Sequence, residues 1–391
     1  MAPLPLTLLL GVLIALTPLG TDTCVPALPA IAADLGAPAS AAQLTLTAFF
    51  AGVALGQLGW GPLSDRFGRR PMLLAGLGLG LVASLAALAA GSVGALAWIR
   101  LAQGLGFSSG PVLARAVVRD LYAQDDAARM LARVMLVFSI APIAAPVAGA
   151  LLVGAGGWRA VFWALAAVMV LVLAASLRLE ETAPAKRRSI HPFHLAATFA
   201  AIVREPRFTG PWMVMLSTQI GILAFVAGSS FALIEGLGVP AQAYGLLFAT
   251  VMLGQIGGSW ACARLVPRAG GARLMRRGAM LLAMAGVAAA IASTTGILAL
   301  LVASFLCFMF AAALTIPNAQ AAALTPFRET AGAASSLIGA TTFAIGAGIS
   351  QLLGAAFDGT ARPMGVLAAT AGLCALLAER LHARRSARWK A

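Results

Sequence analysis

Long apolar segments alternate with short charged segments along the chain. Uncharged stretches such as 71–99, 208–234 and 278–327 each exceed the roughly 20 residues that a helix needs to cross a bilayer. Breaking the apolar segments at Gly, Pro and charged clusters predicts twelve transmembrane helices, and 278–327 turns at 293–296. The predicted helices are 4–24, 41–63, 71–90, 95–114, 130–153, 160–178, 208–230, 244–264, 278–293, 297–317, 333–356 and 363–380. The pattern predicts an all-α integral membrane protein.

A polar segment near the middle divides the predicted helices into two sets of six. A short echo supports this division, because LGQLG at 55–59 recurs as LGQIG at 253–257, 198 residues later. We therefore predict three parts: a six-helix bundle over 1–178, a cytoplasmic linker over 179–207, and a second six-helix bundle with a short basic tail over 208–391. Paired six-helix repeats are a common transporter architecture.

The charges define an orientation and exclude other classes. With 61% hydrophobic and only 10% charged residues, the chain cannot cover the surface of a soluble domain. If the N-terminus is cytoplasmic, 24 of the 27 Lys and Arg residues fall in inside loops or the tail, as the positive-inside rule requires. Both termini are then cytoplasmic. The excess of basic residues is explained by lipid, so no nucleic-acid partner is expected.

The sequence gives little support for an enzyme active site or a metal site. GFSSG at 106–110 fits the G-x-S-x-G pattern of hydrolases, but it lies inside an apolar helix and not on a strand–turn–helix. The three histidines fall in the linker or tail, and neither lysine follows a phosphate-loop pattern. The cysteines lack the paired short spacing of a zinc site or a disulfide framework: Cys24, Cys262, Cys307 and Cys374. A membrane-embedded hydrolase is only a distant alternative, and we expect no metal and no cofactor.

Two charges are predicted to lie within helices. Asp22 is the only acid placed inside a helix, and an ionised carboxylate in apolar surroundings is costly, so it is a candidate proton carrier. The alternative is that helix one ends earlier and Asp22 caps a loop. Arg100 is the only cation inside a helix. It needs an anionic or carbonyl partner, and a structural ion pair or a carbonyl clamp would satisfy it. One embedded acid predicts one proton per cycle.

Other candidates are uncharged. Amides inside helices normally face protein or water, and each is equally consistent with helix packing or with a substrate cavity: Gln43, Gln57, Gln103, Gln219, Asn318, Gln320 and Gln351. Trp212 could stack on a flat substrate or anchor its helix at the membrane interface. Pro142 and Pro146 are predicted to kink the fifth helix and to provide a hinge.

The loop at 61–71 reads GPLSDRFGRRP and matches the signature G-x-x-x-D-R-x-G-R-R of the major facilitator superfamily. Further segments resemble the Bcr/CflA drug-resistance branch of that superfamily: 22–29, 100–104, 115–122, 141–149, 157–162, 316–320 and 331–335. The resemblance covers nearly the whole chain. One departure is Ile14, since a multidrug relative carries a second acid two turns before the first-helix Asp. This departure speaks against any two-carboxylate coupling scheme for this protein.

The resemblance implies a function. It implies the major facilitator fold and a proton-coupled antiporter that exports small, often lipophilic compounds or drugs across the inner membrane by alternating access. The partners implied are a small-molecule substrate, protons and the lipid bilayer. The chain is expected to be a monomer that uses the proton gradient and no cofactor. It implies that Arg100 takes part in proton transfer by holding Asp22 ionised. It also implies a conformational gate formed by Asp65, Arg66, Arg69 and Asp120, for which the alternative is a set of solvated loop charges. Open alternatives are a metabolite or small-peptide exporter or uniporter of the same fold, and a channel.

Overall fold

A computed structural model describes residues 3–122, 124–183, 192–327 and 331–388. Within these ranges the regular structure is helical and contains no strand. The helices are α1 (Pro3–Asp22), α2 (Leu28–Asp34), α3 (Ala39–Phe67), α4 (Arg69–Ala86), α5 (Val93–Phe107), α6 (Ser109–Leu121), α7 (Gln124–Phe138), α8 (Ala141–Ser176), α9 (Pro192–Arg204), α10 (Pro206–Ser230), α11 (Ala241–Ala269), α12 (Gly271–Thr295), α13 (Leu298–Leu324), α14 (Ala331–Ala356) and α15 (Arg362–Arg388). A π-helical turn, Phe231–Gly236, follows α10.

The chain divides into two compact units, unit 1 (Met1–His191) and unit 2 (Pro192–Ala391). The division falls within the predicted linker at 179–207. Part of that linker, 184–191, lies outside the described residues. Its later part is not extended, because α9 occupies 192–204.

Ten segments of the described residues are long and apolar enough to span a bilayer. One of them, Arg129–Ser176, is 48 residues long and covers two of the predicted helices. Within it, Gly156 and Gly157 have non-helical backbone angles, so α8 consists of two helical pieces. Predicted helix 95–114 corresponds to α5 and α6, which are interrupted at Ser108 and are only 15 and 13 residues long. Every predicted helix thus has a helical counterpart.

The sequence echo marks equivalent helix contacts in the two units. An added Cβ on Gly56 of α3 would collide with the side chain of Ser108 at the end of α5. An added Cβ on Gly254 of α11 would collide with the carbonyl oxygen of Leu306 in α13. Small residues allow such close backbone approach. The α3–α5 contact of unit 1 is therefore repeated as the α11–α13 contact of unit 2.

Glycines with positive φ form the tight helix junctions. Gly68 (φ 106°) joins α3 to α4, and Gly270 (φ 81°) joins α11 to α12. Gly296 (φ 69°) ends α12 in the left-handed conformation, which most other residues disfavour. The predicted turn at 293–296 is confirmed.

Candidate functional site

Arg100 is the centre of a buried polar cluster in unit 1. Its side chain is 1% exposed and projects from α5. One Nη donates to the carbonyl oxygen of Gly20 in α1 at 3.0 Å, and the other donates to Oε1 of Gln103 at 2.6 Å. The guanidinium also lies over the ring of Phe49 in α3, 4.1 Å from its centroid. The Arg100 side chain therefore contacts α1 and α3 from α5 and links the three helices.

Gln103 continues this cluster into α4. Its Nε2 donates to Oγ of Ser84 at 2.7 Å, and Ser84 in turn donates to the carbonyl oxygen of Gly80 at 2.7 Å. Gln103 itself is fully buried. Both ends of its amide are occupied by protein groups, so Gln103 orients Arg100 and is not free to hold a substrate.

Asp22 lies two residues beyond the carbonyl that Arg100 holds. It is the last residue of α1, and its side chain is 7% exposed. Its Oδ1 accepts a hydrogen bond from the Thr21 hydroxyl at 2.9 Å. Asp22 therefore ends its helix, as one sequence alternative expected. It is nevertheless buried, as the proton-carrier alternative requires.

Arg100 and Asp22 do not form an ion pair among the described residues. Arg100 is instead satisfied by a carbonyl, an amide and an aromatic face, as the clamp alternative expected. A desolvated carboxylate without a cation is costly, so this arrangement suits a neutral, protonated Asp22. Arg100 nevertheless binds the chain next to this acid, at the carbonyl oxygen of Gly20.

Three of the four predicted gate residues meet at one end of unit 1. Nε of Arg69 donates to Oδ2 of Asp120 at 2.8 Å, and its Nη1 pairs with Asp65. The same Nη1 also donates to Oγ of Ser64 at 2.7 Å. Arg66 is not part of this network, because its side chain is exposed and lies over the ring of Phe67.

Glu181, which the sequence analysis left in the linker, follows α8 in the chain and contacts the gate at Arg69. Its carboxylate accepts from the backbone N–H of Arg69 at 2.8 Å and of Arg70 at 3.3 Å. Burial raises the pKa of Glu181, but hydrogen bonds from the first N–H groups of α4 and from the next two residues outweigh it and hold the pKa below its usual range. Gly68 marks this helix start, and helix starts attract carboxylates.

A second ionic cluster lies at the opposite end of unit 1. Oδ2 of Asp34 accepts from Arg159 at 2.8 Å and from the indole of Trp158 at 2.9 Å. Arg159 also donates to the carbonyl of Leu88 at 3.3 Å. The turn within α8 is thereby fixed to the end of α2 and to the loop after α4.

The polar candidates of unit 2 differ in their availability. Asn318 donates to the carbonyl of Leu314 at 2.8 Å and to Sγ of Cys262 at 3.3 Å, which is a helix-packing role. Trp212 stacks on Phe208, and its indole donates to Thr341 at 3.3 Å. The remaining candidate amides, Gln219, Gln320 and Gln351, are half-buried.

The fifth predicted helix has a break next to its prolines, and its use as a hinge stays a prediction. The fifth predicted helix is interrupted at Ser139 and Ile140, and Pro142 lies in the first turn of the following helix. Proline is tolerated there because the first N–H groups of a helix are unbonded. Pro146 lies inside α8, so the interruption precedes both prolines.

The fold and site define a polytopic helical membrane protein with charge networks at both ends of its first unit, as in secondary transporters. The model of the Major Facilitator Superfamily matches residues 10–351. The chain belongs to the major facilitator superfamily, a family of transporters and not of enzymes. The predicted resemblance and the all-helical fold are confirmed.

Two curated relatives and one solved structure are similar to this chain over nearly its whole length. A bicyclomycin resistance protein homolog of Haemophilus influenzae is 31% identical over 91% of this chain and 90% of its own length. Multidrug resistance protein D of Escherichia coli is 28% identical over 95% of this chain and 94% of its own. The xylose transporter XylE of E. coli, in a partially occluded inward open conformation, has the same fold, with a TM-score of 0.74. It is 15% identical in sequence, and the match covers 97% of this chain and 96% of XylE. The relatives agree with the Bcr/CflA resemblance.

Proposed function

We propose that this chain is a proton-coupled exporter of small, often lipophilic compounds or drugs, and that Asp22 carries the proton. The observation that carries the proposal is the burial of Asp22 in unit 1, two residues from the carbonyl that Arg100 binds and without an ion pair to any described residue. Relatives named for bicyclomycin and multidrug resistance support drugs as the substrate class.

In this mechanism Asp22 is protonated from the outside and loses its proton to the cytoplasm. Once ionised, the carboxylate needs a cation, and Arg100 is placed to supply one by exchanging its bond to Gly20 for the acid. Asp22 and Arg100 are thus separate when Asp22 is protonated and paired when it is ionised. An element with two such arrangements is what alternating access requires. The network of Asp65, Arg69 and Asp120 is proposed to lock one of these states.

We also propose a monomer of the inner membrane with twelve crossings and cytoplasmic termini. Counting the two pieces of α8 separately and α5 with α6 as one interrupted crossing raises the ten candidate spans to twelve. The positive-inside distribution supports the orientation. A reporter fused within 184–191 should be cytoplasmic; a periplasmic reporter would overturn this topology.

Drug uptake into inverted membrane vesicles tests the transport function. A gradient with an acidic lumen should drive uptake of a phenicol or bicyclomycin by the wild type, and Asp22→Asn should abolish the gradient-dependent part. Asp126→Asn is the matched control, because Asp126 is exposed and pairs only with Arg129 among the described residues. Uptake by wild type that ignores the gradient would favour a metabolite transporter or uniporter of the same fold.

A further inference from the structure

Unit 2 contains a buried acid that the sequence analysis placed at a helix end. The sequence predicts that the last helix stops at 380, whereas α15 continues to Arg388. Glu379 therefore lies well inside a helix, and its side chain is only 3% exposed. The expectation that Asp22 is the only acid within a helix is wrong.

Glu379 continues a seam of close contact between α15 and α12. An added Cβ on Gly365 would meet Ser293 of α12, and one on Gly372 would meet the carbonyl of Leu282. Gly365, Gly372 and Glu379 follow each other at intervals of seven residues, two helical turns, so they share one face of α15. Because α12 runs antiparallel to α15 along this seam, the next position opposite Glu379 is near Met275 and Arg276.

One oxygen of the Glu379 carboxyl group is not satisfied in this seam. Its Oε2 is buried and has no hydrogen-bond partner within the described residues. Arg276 on α12 and Arg380 on α15 act on it electrostatically, but neither forms an ion pair with it there. A buried carboxylate left without a pair costs several kcal/mol, whereas a neutral acid does not carry that cost.

Among the described residues, the charged groups near this part of α15 are cations and one imidazole. They are Arg207 on α10, Arg273, Arg276 and Arg277 on α12, and Arg380, His382, Arg384 and Arg385 on α15 itself; α14 contributes none. The His382 ring lies against the backbone of α10 at Gly210. No acid on these helices competes with Glu379 for Arg276.

The two units place an acid at corresponding points. Glu379 follows Glu181 by 198 residues, the same interval that separates Gly254 from Gly56. Glu181 follows α8 and contacts the start of α4. Glu379 lies in α15 and faces the first part of α12. The acid of unit 1 is capped by backbone N–H groups, whereas one oxygen of the acid of unit 2 has no hydrogen-bond partner among the described residues.

We propose that Glu379 is a second proton-binding site, in unit 2, whose proton is exchanged for an ion pair with Arg276. In the protonated state the neutral acid fills the α12–α15 seam. Loss of the proton leaves a carboxylate, and the guanidinium of Arg276 moves to pair with it. The inference deepens the proposed function, because it adds a proton site to a transporter already proposed to be driven by protons.

Infrared spectroscopy of the reconstituted full chain tests this site without any transport substrate. Protonated carboxyl groups have a C=O stretching band distinct from that of carboxylates. In an Asp22→Asn background, which removes the other acid that is buried among the described residues, we expect this band at neutral pH. It should be lost in Asp22→Asn/Glu379→Gln and kept in Asp22→Asn/Glu235→Gln, the control at an exposed acid. Absence of the band, or its survival in the Glu379→Gln variant, would overturn the proposal.

Arg276→Gln supplies a second measurement that does not depend on the folding of the Glu379 variant. Removing the cation should shift the loss of the protonated band to higher pH, because the ionised acid loses its pair. An unchanged titration would contradict the exchange with Arg276. Failure of drug uptake would leave both infrared results intact, so this proposal and the proposed function fail separately.

Discussion

Arg100 illustrates what a single residue reveals in the sequence and what it conceals. A cation inside an apolar helix must have a partner, and this was predictable from its position alone. The identity of that partner was not predictable, because the Gly20 carbonyl lies 80 residues away in the sequence and every residue has a backbone oxygen. The same reason hid Ser84, which completes the cluster through Gln103.

Replacement of Arg100 by Lys tests the clamp at this residue. A single ammonium cannot reproduce the planar fork that reaches both Gly20 and Gln103 while lying over Phe49. We expect Arg100→Lys to lose about 1–3 kcal/mol of stability, since buried acceptors are left unpaired, and to lose gradient-driven uptake. Thermal unfolding in detergent measures the first effect. Arg264→Lys, at an exposed cation over Trp260, is the control; equal unfolding of both variants and the wild type would contradict the clamp.

At the scale of elements, the start of α4 is held by a residue from beyond the end of α8. Gly68 provides the positive φ that turns the chain from α3 into α4, and Glu181 occupies the space where its Cβ would lie. The signature loop showed that a junction exists here. It could not show which acid caps it, because Glu180 and Glu181 are adjacent and differ only in which one faces the helix.

Glu181→Gln should destabilise the protein by about 0.5–2 kcal/mol at neutral pH, as for other lost helix caps. The folded-state pKa of Glu181 is lowered, so its contribution is present above the ordinary carboxyl pKa and is lost as pH falls through the folded value. The difference in unfolding between wild type and variant should therefore shrink toward acidic pH.

Glu180→Gln is the matched control for this cap, because the hydrogen bonds from the start of α4 go to Glu181 and not to its neighbour. It should unfold like the wild type throughout the pH range. If the loss in Glu181→Gln were the same at pH 4 and pH 7, the charge of Glu181 would not be what holds the start of α4.

The ends of helices were the least predictable elements. The basic residues after Arg380 suggest a solvated tail, yet α15 continues through them because Arg and Ala favour helix. That extension is the reason Glu379 was missed as a buried acid. The interruption at Ser108 was missed for the opposite reason, since apolar residues continue on both sides of it.

For the whole molecule, class and fold were readable from the sequence. A bilayer requires every backbone group to be bonded within the chain, so apolar length alone indicates helices, and the one-sided Arg distribution indicates orientation. The echo at 55–59 and 253–257 corresponds to repeated helix contacts. Partners within the site depend on contacts between distant helices, and the sequence alone does not specify those contacts.

The central claim is that substrate movement is coupled to a proton on Asp22, and proton release from acidified inverted vesicles tests it most directly. Adding drug to wild-type vesicles should raise the lumenal pH, and Asp22→Asn should abolish the response while Asp126→Asn retains it. Drug-dependent alkalinisation that persists in correctly inserted Asp22→Asn would contradict the account.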